Sequence, residues 1–160
     1  NSENANTLVE EEITPGEVIS SYTIENTDIT LNFEEDMIKL SEDQIAEYYG
    51  KPYAAAYDAI ITSEDFEKMI MIIQNNKSGF DEGYTAKQFL EDIAAEYEEA
   101  AEVVEKEIGN KTFYVLEREY ESEEIVYLEQ DYIYDSGDTF VCIIFDNPKE
   151  SAMNPEKIIK

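Results

Sequence analysis

Phe66-Glu-Lys-Met-Ile-Met-Ile-Ile-Gln74 is the stretch of sequence that decides the fold. The five apolar residues from Met69 to Ile73 leave no polar face, which is typical of a strand buried on both sides in the middle of a sheet. A helix is the alternative, because Glu, Lys and Met favour helices and Ser63 can act as a cap. We favour the strand, which predicts further strands on either side of it.

Seven strands are predicted, because apolar residues alternate or run continuously between turn-forming residues. In chain order they span residues 17–24, 29–33, 54–62, 66–74, 111–120, 124–134 and 139–145. Most consecutive strands are separated by turns that are too short to carry a parallel crossover. The sheet should therefore be mostly antiparallel.

Three helices are predicted from capping residues and from apolar residues that recur every three or four positions. A capping box at Ser41 opens a short helix that Gly50 ends. A second capping box at Thr85 opens the longest helix, which should continue to about Glu107 with a glutamate-rich outer face. Asn154, which is followed by a proline, caps a last short helix.

The predicted element order is ββ-α-ββ-α-βββ-α. Helices at this spacing can cover the sheet, so the predicted fold class is α+β, a mostly antiparallel sheet with helices packed on its faces. With 160 residues, of which 42% are hydrophobic, the chain suits one domain with its own core. We assign that domain to residues 16–160.

Residues 1–15 are predicted to be a flexible tether, because they are rich in Asn, Ser and Glu and lack a periodic apolar face. The Thr14-Pro-Gly16 break marks where order should begin. The first residue is not methionine, and we interpret the chain as a processed form whose export segment has been removed. An arbitrary boundary is the alternative.

The charge balance excludes whole classes of function. The chain has 39 acidic and 11 basic residues and therefore a formal net charge of −28. Such a surface repels nucleic acids and anionic lipids, so we expect no nucleic-acid partner. The absence of histidine removes the usual proton-transfer group and the commonest nitrogen ligand of transition metals. We therefore assign no catalytic residue, no metal site and no cofactor.

The remaining chemical groups favour structural roles. Cys142 lies in an apolar run and has no second cysteine to pair with, so we expect it to be a small buried hydrophobe. Asp135-Ser-Gly-Asp138 lacks the alternating acids of an EF-hand calcium loop and is interpreted as a hairpin turn. Carboxylates are numerous, yet no pair stands out as the acid and base of a glycosidase.

Tyrosine is the one enriched residue type that suggests a binding surface, with 12 copies in the chain. Tyr48, Tyr49, Tyr53 and Tyr57 cluster around the Gly50-Lys-Pro52 turn, and they are our candidate binding residues. Ordinary core packing is the alternative. The binding hypothesis predicts that at least two of Tyr48, Tyr49 and Tyr53 expose their rings beside a concave surface.

The sequence pattern resembles that of the PsbP-like sandwich family. The segments that carry the resemblance are Ile29-Thr-Leu-Asn-Phe33, the paired strands at 55–62 and 66–74, the helix from Thr85, the meander that ends at Phe145, and Asn154-Pro-Glu-Lys-Ile-Ile159. The chain is most similar to the family's bacterial lipoprotein branch, whose function is unassigned. The resemblance implies a layered sandwich in an extracellular or cell-surface location. It also implies that the membrane is reached only through a lipidated N-terminal anchor, now removed.

These observations predict a non-enzymatic, extracytoplasmic binding or accessory domain of a surface-tethered bacterial protein. Its partner is expected to be a protein or a small ligand, whose identity the sequence does not give. Two alternatives stay open. One is a hydrolase that uses carboxylates and tyrosines, and the other is a cytosolic assembly or regulatory factor.

Overall fold

The computed structural model describes residues 13–99 and 101–160, which form one sheet with helices packed against it. The strands are β1 (Glu17–Thr23), β2 (Thr30–Lys39), β3 (Ala59–Thr62), β4 (Met69–Asn76), β5 (Val104–Ile108), β6 (Lys111–Ser122), β7 (Ile125–Asp135) and β8 (Thr139–Pro148). The helices are α1 (Glu42–Tyr49), α2 (Lys51–Ala56), α3 (Ala86–Ala94) and α4 (Pro155–Ile158). Short 3-10 turns follow β4 and β8.

Two antiparallel meanders meet in the middle of the sheet. The strand order is β1-β2-β3-β4-β8-β7-β6-β5, and every neighbouring pair is antiparallel. This confirms the predicted α+β class and the antiparallel sheet. β4 lies between β3 and β8, with Ile70 and Ile72 in the core on one face and Met69 and Met71 packed on the other. The prediction of a central strand is therefore confirmed.

The sheet curls around its inner face, which holds the main core. Ile24 and Ile29 at the first hairpin belong to the same buried cluster as Phe113 of β6, although β1 and β6 lie near opposite edges of the sheet. An ion pair between Lys111 and Asp28, 3.3 Å long, joins the start of β6 to the β1–β2 turn. The two edges thus enclose one apolar interior, which raises the share of the chain that is buried.

Helix α4 packs into the interior of the curled sheet. The side chain of Asn154 caps the helix by accepting a hydrogen bond from the amide of Glu156 at 3.1 Å. Ile158 and Ile159 are buried in the main core, and Ile159 forms a β-bridge with Leu31 of β2. The predicted cap and last helix are confirmed.

The outer face of the sheet carries two separate helical covers. α1 and α2 pack over β3 and β4 through a cluster that includes Ile45 and Ile60. α3 packs over β6, β7 and β8 through Leu90, which belongs to a cluster with Leu116 and Phe140. The part of the outer face between the two covers is formed by β6, β7 and β8 and carries charged side chains.

The predicted order ββ-α-ββ-α-βββ-α is wrong in two places, of which the first is the long helix from Thr85. That helix ends at Ala94, and Val104–Ile108 forms the edge strand β5. The last turn of α3 contains no basic residue, so further glutamates would lie unfavourably near the negative end of the helix dipole. β-Branched residues at 103 and 104 favour a strand, which pairs with β6 and extends the sheet.

The second error is the strand predicted over residues 54–62. Lys51–Ala56 forms α2, and β3 begins only at Ala59. Pro52 lies in the first turn of α2, where its fixed φ suits a helix, and three alanines, which are strong helix formers, close the helix. The observed order is therefore ββ-αα-ββ-α-ββββ-α.

The start of the described chain contacts α1. The Ser41 hydroxyl donates to the carbonyl of Thr14 at 2.6 Å, and the Thr14 amide donates to the Asp43 carboxylate at 3.2 Å. Residues 1–12 of the predicted tether lie outside the described residues. None of the described helices is long and apolar enough to cross a membrane.

Candidate functional site

Two helices separated by a single glycine carry the predicted binding tyrosines. Gly50 ends α1 with a φ of 105°, a conformation that residues with side chains disfavour, and α2 starts directly after it. Tyr48 and Tyr49 form the last turn of α1, Tyr53 lies on α2, and Tyr57 follows α2. The break at Gly50 is thus what brings the four tyrosines onto neighbouring elements.

These four tyrosines and Phe66 form a continuous line of rings, called here the aromatic row. The ring centroids are 5.7 Å apart for Phe66–Tyr48, 6.5 Å for Tyr48–Tyr49, 6.2 Å for Tyr49–Tyr53 and 5.6 Å for Tyr53–Tyr57. Tyr53 and Tyr57 are stacked, and Phe66 meets Tyr48 edge to face. Aromatic pairs of this kind contribute about 0.5–1.5 kcal/mol beyond the burial of their area. The structure therefore brings all four predicted residues into one surface.

All the exposed aromatic side chains of the described residues belong to the aromatic row. Tyr48 is 51% exposed, Tyr53 is 45% exposed and Phe66 is 41% exposed. Tyr49 and Tyr57 are half-buried, and burial raises the pKa of both hydroxyls above the usual value. Two of Tyr48, Tyr49 and Tyr53 thus expose their rings, which meets the first part of the binding hypothesis, and the concave surface beside them stays a prediction.

Phe66 is the member of the aromatic row that the sequence pattern misses, because the pattern places it at the start of a strand. In the structure it lies in the turn between β3 and β4 and has a φ of 63°, in the left-handed region. For a residue with a side chain this conformation costs about 1–2 kcal/mol. The Ser63 amide donates to the carbonyl of Lys68 at 2.9 Å and closes the turn, which holds the ring beside Tyr48.

A second group of polar side chains lies on the outer face between the helical covers. Glu129 and Asp131 of β7 share this face because residues two apart on a strand point the same way. Arg118 of β6 and Asp146 of β8 pair with Glu129 from either side. Arg118 donates to Glu129 at 3.1 Å, and the Tyr120 hydroxyl lies 2.7 Å from both carboxylate oxygens of Asp146. These five residues are called here the carboxyl cluster.

Asp131 is the unusual member of the carboxyl cluster. It is 5% exposed, and its Oδ1 has no hydrogen-bond partner among the described residues. Burial, together with repulsion from Glu129 and a hydrogen bond to it, raises the pKa of Asp131 to about 8. The raised pKa favours the protonated form of Asp131 near neutral pH, and Arg118 forms an ion pair with Glu129 at 3.1 Å.

Two aromatic rings flank Arg118 of the carboxyl cluster. The guanidinium carbon of Arg118 lies 5.2 Å from the ring centre of Tyr97 and 4.8 Å from that of Tyr120. Burial and the nearby carboxylates raise the pKa of Tyr97 to about 12. Tyr97 follows α3, so the segment after this helix contributes one of the two rings.

The carboxyl cluster is the part of the candidate site that sequence reasoning missed. The two-residue spacing of Glu129 and Asp131 is a readable signal, since it places both side chains on one face of a strand. The burial of Asp131 is not readable, because it depends on Leu116 and Ile144, which flank Asp131 from two other strands.

Metal ligands and a reactive thiol are not found in the described part of the chain. The described residues contain no group of three or more side chains placed to hold a metal ion. Residues 135–138 form the β7–β8 hairpin turn, where Asp135 pairs with Lys77 at 2.9 Å and accepts the Gly137 amide at 2.8 Å. Cys142 is 4% exposed, and burial raises the pKa of its thiol far above the usual value. The predictions of a hairpin turn and a buried cysteine are confirmed.

Comparisons with known proteins support the fold and assign no family. No protein-family model and no curated protein matches the chain. A crystal structure of a protein from Bacteroides thetaiotaomicron is similar, with a TM-score of 0.57 and 13% sequence identity. The similarity covers 88% of this chain and 47% of that protein, so this chain spans about half the length of the structure it matches. At this identity the similarity shows a shared fold alone.

Proposed function

We propose that the chain is a non-enzymatic binding domain and that the aromatic row is its contact surface. The observation that carries the proposal is the clustering of the exposed rings, since Tyr48, Tyr53 and Phe66 belong to one continuous row. Tyrosine and phenylalanine offer large contact areas at a low cost in conformational entropy, which is why aromatic residues concentrate at interfaces.

The members of the aromatic row divide into supporting and exposed residues. Tyr49 and Tyr57 pack against the cluster around Ile60 and hold α1 and α2 on the sheet. Tyr48 and Tyr53 lie outside that cluster and expose about half of their surface. Replacing Tyr48 and Tyr53 should therefore change the contact surface and leave the packing of the helices intact.

The test uses peptides selected from a random library for binding to the wild-type chain. Tyr48→Ser combined with Tyr53→Ser should weaken their binding by at least about tenfold, because truncated hot-spot residues cost about 2 kcal/mol or more. Val18→Ser combined with Val126→Ser is the matched control, because these valines are 66% and 43% exposed and lie outside the aromatic row. The proposal is contradicted if the peptides bind the tyrosine variant as tightly as the valine control. It is also contradicted if the library yields no peptide that binds the wild type saturably.

We extend the proposal to the family and the location of the domain. It is proposed to belong to the PsbP-like sandwich family and to work outside the cytoplasm, tethered to a bacterial surface. The support is the sequence resemblance, with which an antiparallel α+β sheet is compatible. The codons that precede Asn1 in the gene test this. A basic, apolar leader that ends in a cysteine is expected, and a start codon directly before Asn1 contradicts the tethering.

A carboxylate-based hydrolase is the second candidate, and the Glu129–Asp131 pair is the observation that favours it. The raised pKa of Asp131 suits a general acid, and Glu129 on the same face of β7 is a carboxylate that could serve as the base. The test is the hydrolysis of chromogenic ester, glycoside and peptide substrates by the wild type and by Glu129→Gln. A rate that the substitution abolishes supports this candidate, and a rate that survives it, or no rate above buffer, contradicts it.

A further inference from the structure

Strand β6 is longer than the edge strand beside it, so part of β6 has an unpaired edge. β5 pairs with β6 only from Lys111 to Val115, whereas β7 pairs with β6 from Tyr114 to Ser122. Among the described residues, residues 116–122 of β6 therefore have a neighbouring strand on one side only. This segment is called here the free edge. An unpaired edge offers a row of backbone amides and carbonyls to which another extended chain can bind.

The hairpin turns at the two ends of β6 show which backbone groups point outward from the free edge. The residues that flank a two-residue turn form a hydrogen-bonded pair, and such pairs recur at every second residue. Ser122 closes the turn to β7, so it and every second residue before it bond to β7. Lys111 closes the turn to β5, so it and every second residue after it point the other way. Both turns therefore assign outward amides and carbonyls to the same residues of the free edge, which are Glu117, Glu119 and Glu121.

A groove with a volume of about 840 Å³ lies against the free edge. Its lining combines residues 117–119 of the free edge with Leu128 of β7 and with residues 96–99, 101 and 102, which follow α3. The ring centre of Tyr97 lies 5.2 Å from the guanidinium carbon of Arg118, which holds the segment after α3 on β6. Clefts that bind ligands have volumes of about 300–1,000 Å³, so the groove has the size of a binding cleft.

The charge of the groove determines which extended chain can bind there. The ten described residues that line it include six glutamates and one basic residue, Arg118, which is already paired with Glu129 at 3.1 Å. A second copy of the free edge would place glutamates opposite glutamates, and like charges in that position are destabilising. Lysine or arginine at every second position of an added strand would instead lie opposite the three glutamates with outward backbone groups.

We propose that the free edge binds an extended segment of a partner protein, with basic residues at every second position, as an added antiparallel strand. Every neighbouring pair of the sheet is antiparallel, so the added strand continues the same pattern. No member of the aromatic row lines the groove, so this surface goes beyond the proposed function and does not depend on it. The net charge of −28 attracts a basic segment over a distance, so binding should weaken as salt increases.

The probe is a seven-residue peptide with blocked ends in which threonine and lysine alternate, so that three lysines can lie opposite the three glutamates. Methylation of the three lysine amides removes the donors that face the free edge, and it should weaken binding at least about tenfold. Methylation of three threonine amides is the matched control, because these amides point away from β6 and the charge and composition stay the same. Calorimetry at low salt with the wild-type chain compares the three peptides.

Hydrogen exchange measured by NMR locates the bound peptide. The unmethylated peptide should slow the exchange of the Glu117, Glu119 and Glu121 amides about tenfold, because these amides gain a partner. Glu119→Pro removes one outward amide at an edge position where proline is tolerated, and Glu119→Gln removes the same charge but keeps the amide. The proline variant should bind the peptide at least about threefold more weakly than the glutamine variant.

Equal affinities of the two methylated peptides would show that charge alone holds the peptide, and they would overturn the proposal. Unchanged exchange at the three glutamate amides, or no binding of the unmethylated peptide, would overturn it as well. If Tyr48→Ser combined with Tyr53→Ser weakens the peptide as much as lysine methylation does, the peptide binds at the aromatic row. In that case the proposed function stands and this inference fails.

Discussion

Replacing Asp131 with asparagine should stabilise the protein, and by more as the pH rises. Asp131 is 5% exposed, and its raised pKa favours the protonated form near neutral pH. The amide of asparagine has nearly the same shape as a protonated carboxyl group and can also donate a hydrogen bond. What the substitution removes is a carboxyl group whose ionised form is strongly disfavoured in this buried position.

The sign and size of the effect follow from the two pKa values of Asp131. In the unfolded chain the group titrates near its ordinary value of 3.8, and in the folded protein its pKa is raised to about 8. Between these values the folded state holds a proton that the unfolded state has lost, so the free energy of unfolding falls as the pH rises. Each pH unit is worth about 1.4 kcal/mol, and the interval from about pH 5 to about pH 8 is worth up to about 4 kcal/mol.

Urea unfolding of the wild type and of Asp131→Asn at several pH values across this interval measures the effect. Carboxylates distant from Asp131 titrate alike in both proteins, so the difference between the two curves reports Asp131 together with the carboxylates that interact with it. The difference should grow by about 1 kcal/mol per pH unit and should favour the variant at the alkaline end. Asp81→Asn, at an exposed position, controls for the removal of one negative charge from an acidic chain.

Two parallel stability curves, or a variant less stable than the wild type at the alkaline end, would refute the reasoning. Parallel curves would mean that Asp131 is ionised in the folded protein and shares Arg118 with Glu129. The carbon chemical shift of the Asp131 carboxyl group, followed by NMR over the same pH range, reports its protonation independently. A titration midpoint near the ordinary value would refute the raised pKa directly.

Three further predictions concern the stability of the fold. Glu123 and Glu124 form the β6–β7 turn with φ values of 51° and 68°, so exchanging them for Asn and Gly should raise the free energy of unfolding by about 1–2 kcal/mol. A lower urea midpoint would contradict the strain assigned to this turn. Ser41→Ala removes the cap of α1 and the bond to Thr14 and should cost about 1 kcal/mol, which an unchanged urea midpoint would rule out. Sodium chloride should raise the melting temperature at neutral pH, because it screens the repulsion of a net charge of −28 beyond about 10 Å at about 0.1 M. Equal melting temperatures at low and high salt would show that the charges are too dispersed to matter.

Local features of the fold were predictable from the sequence because their causes lie within a few residues. The five apolar residues from Met69 to Ile73 have no polar face, and they form the central strand in the structure. The capping boxes at Ser41 and Thr85 form as the residue pattern indicates, each with its reciprocal hydrogen bonds. Caps, turns and buried strands depend on neighbouring residues, so they can be read without knowing the rest of the fold.

Of the two elements that were predicted wrongly, one is decided by a distant partner. The apolar residues after Ala94 fit a helical period as well as a strand, and pairing with the start of β6 selects the strand for Val104–Ile108. Weak local preferences of this kind are overridden by tertiary contacts. α2 is different, because Pro52 in its first turn and its three alanines are local signals for a helix that the strand prediction overlooked.

The aromatic row likewise combines residues whose proximity is local with one that only the tertiary structure adds. Tyr48, Tyr49, Tyr53 and Tyr57 lie on two consecutive helices, so their proximity could be read from the sequence around Gly50. Phe66 joins them only because the β3–β4 turn returns the chain to α1.

The chemistry of the carboxyl cluster was decided by the tertiary structure alone. Its side chains come from β6, β7 and β8, and Tyr97 reaches it from the segment after α3. Burial is a property of the packed neighbours, and it is burial that raises the pKa of Asp131. The sequence determined that the chain carries 39 acidic residues, and the packing of distant strands determined that Asp131 is among those that are buried and have a raised pKa.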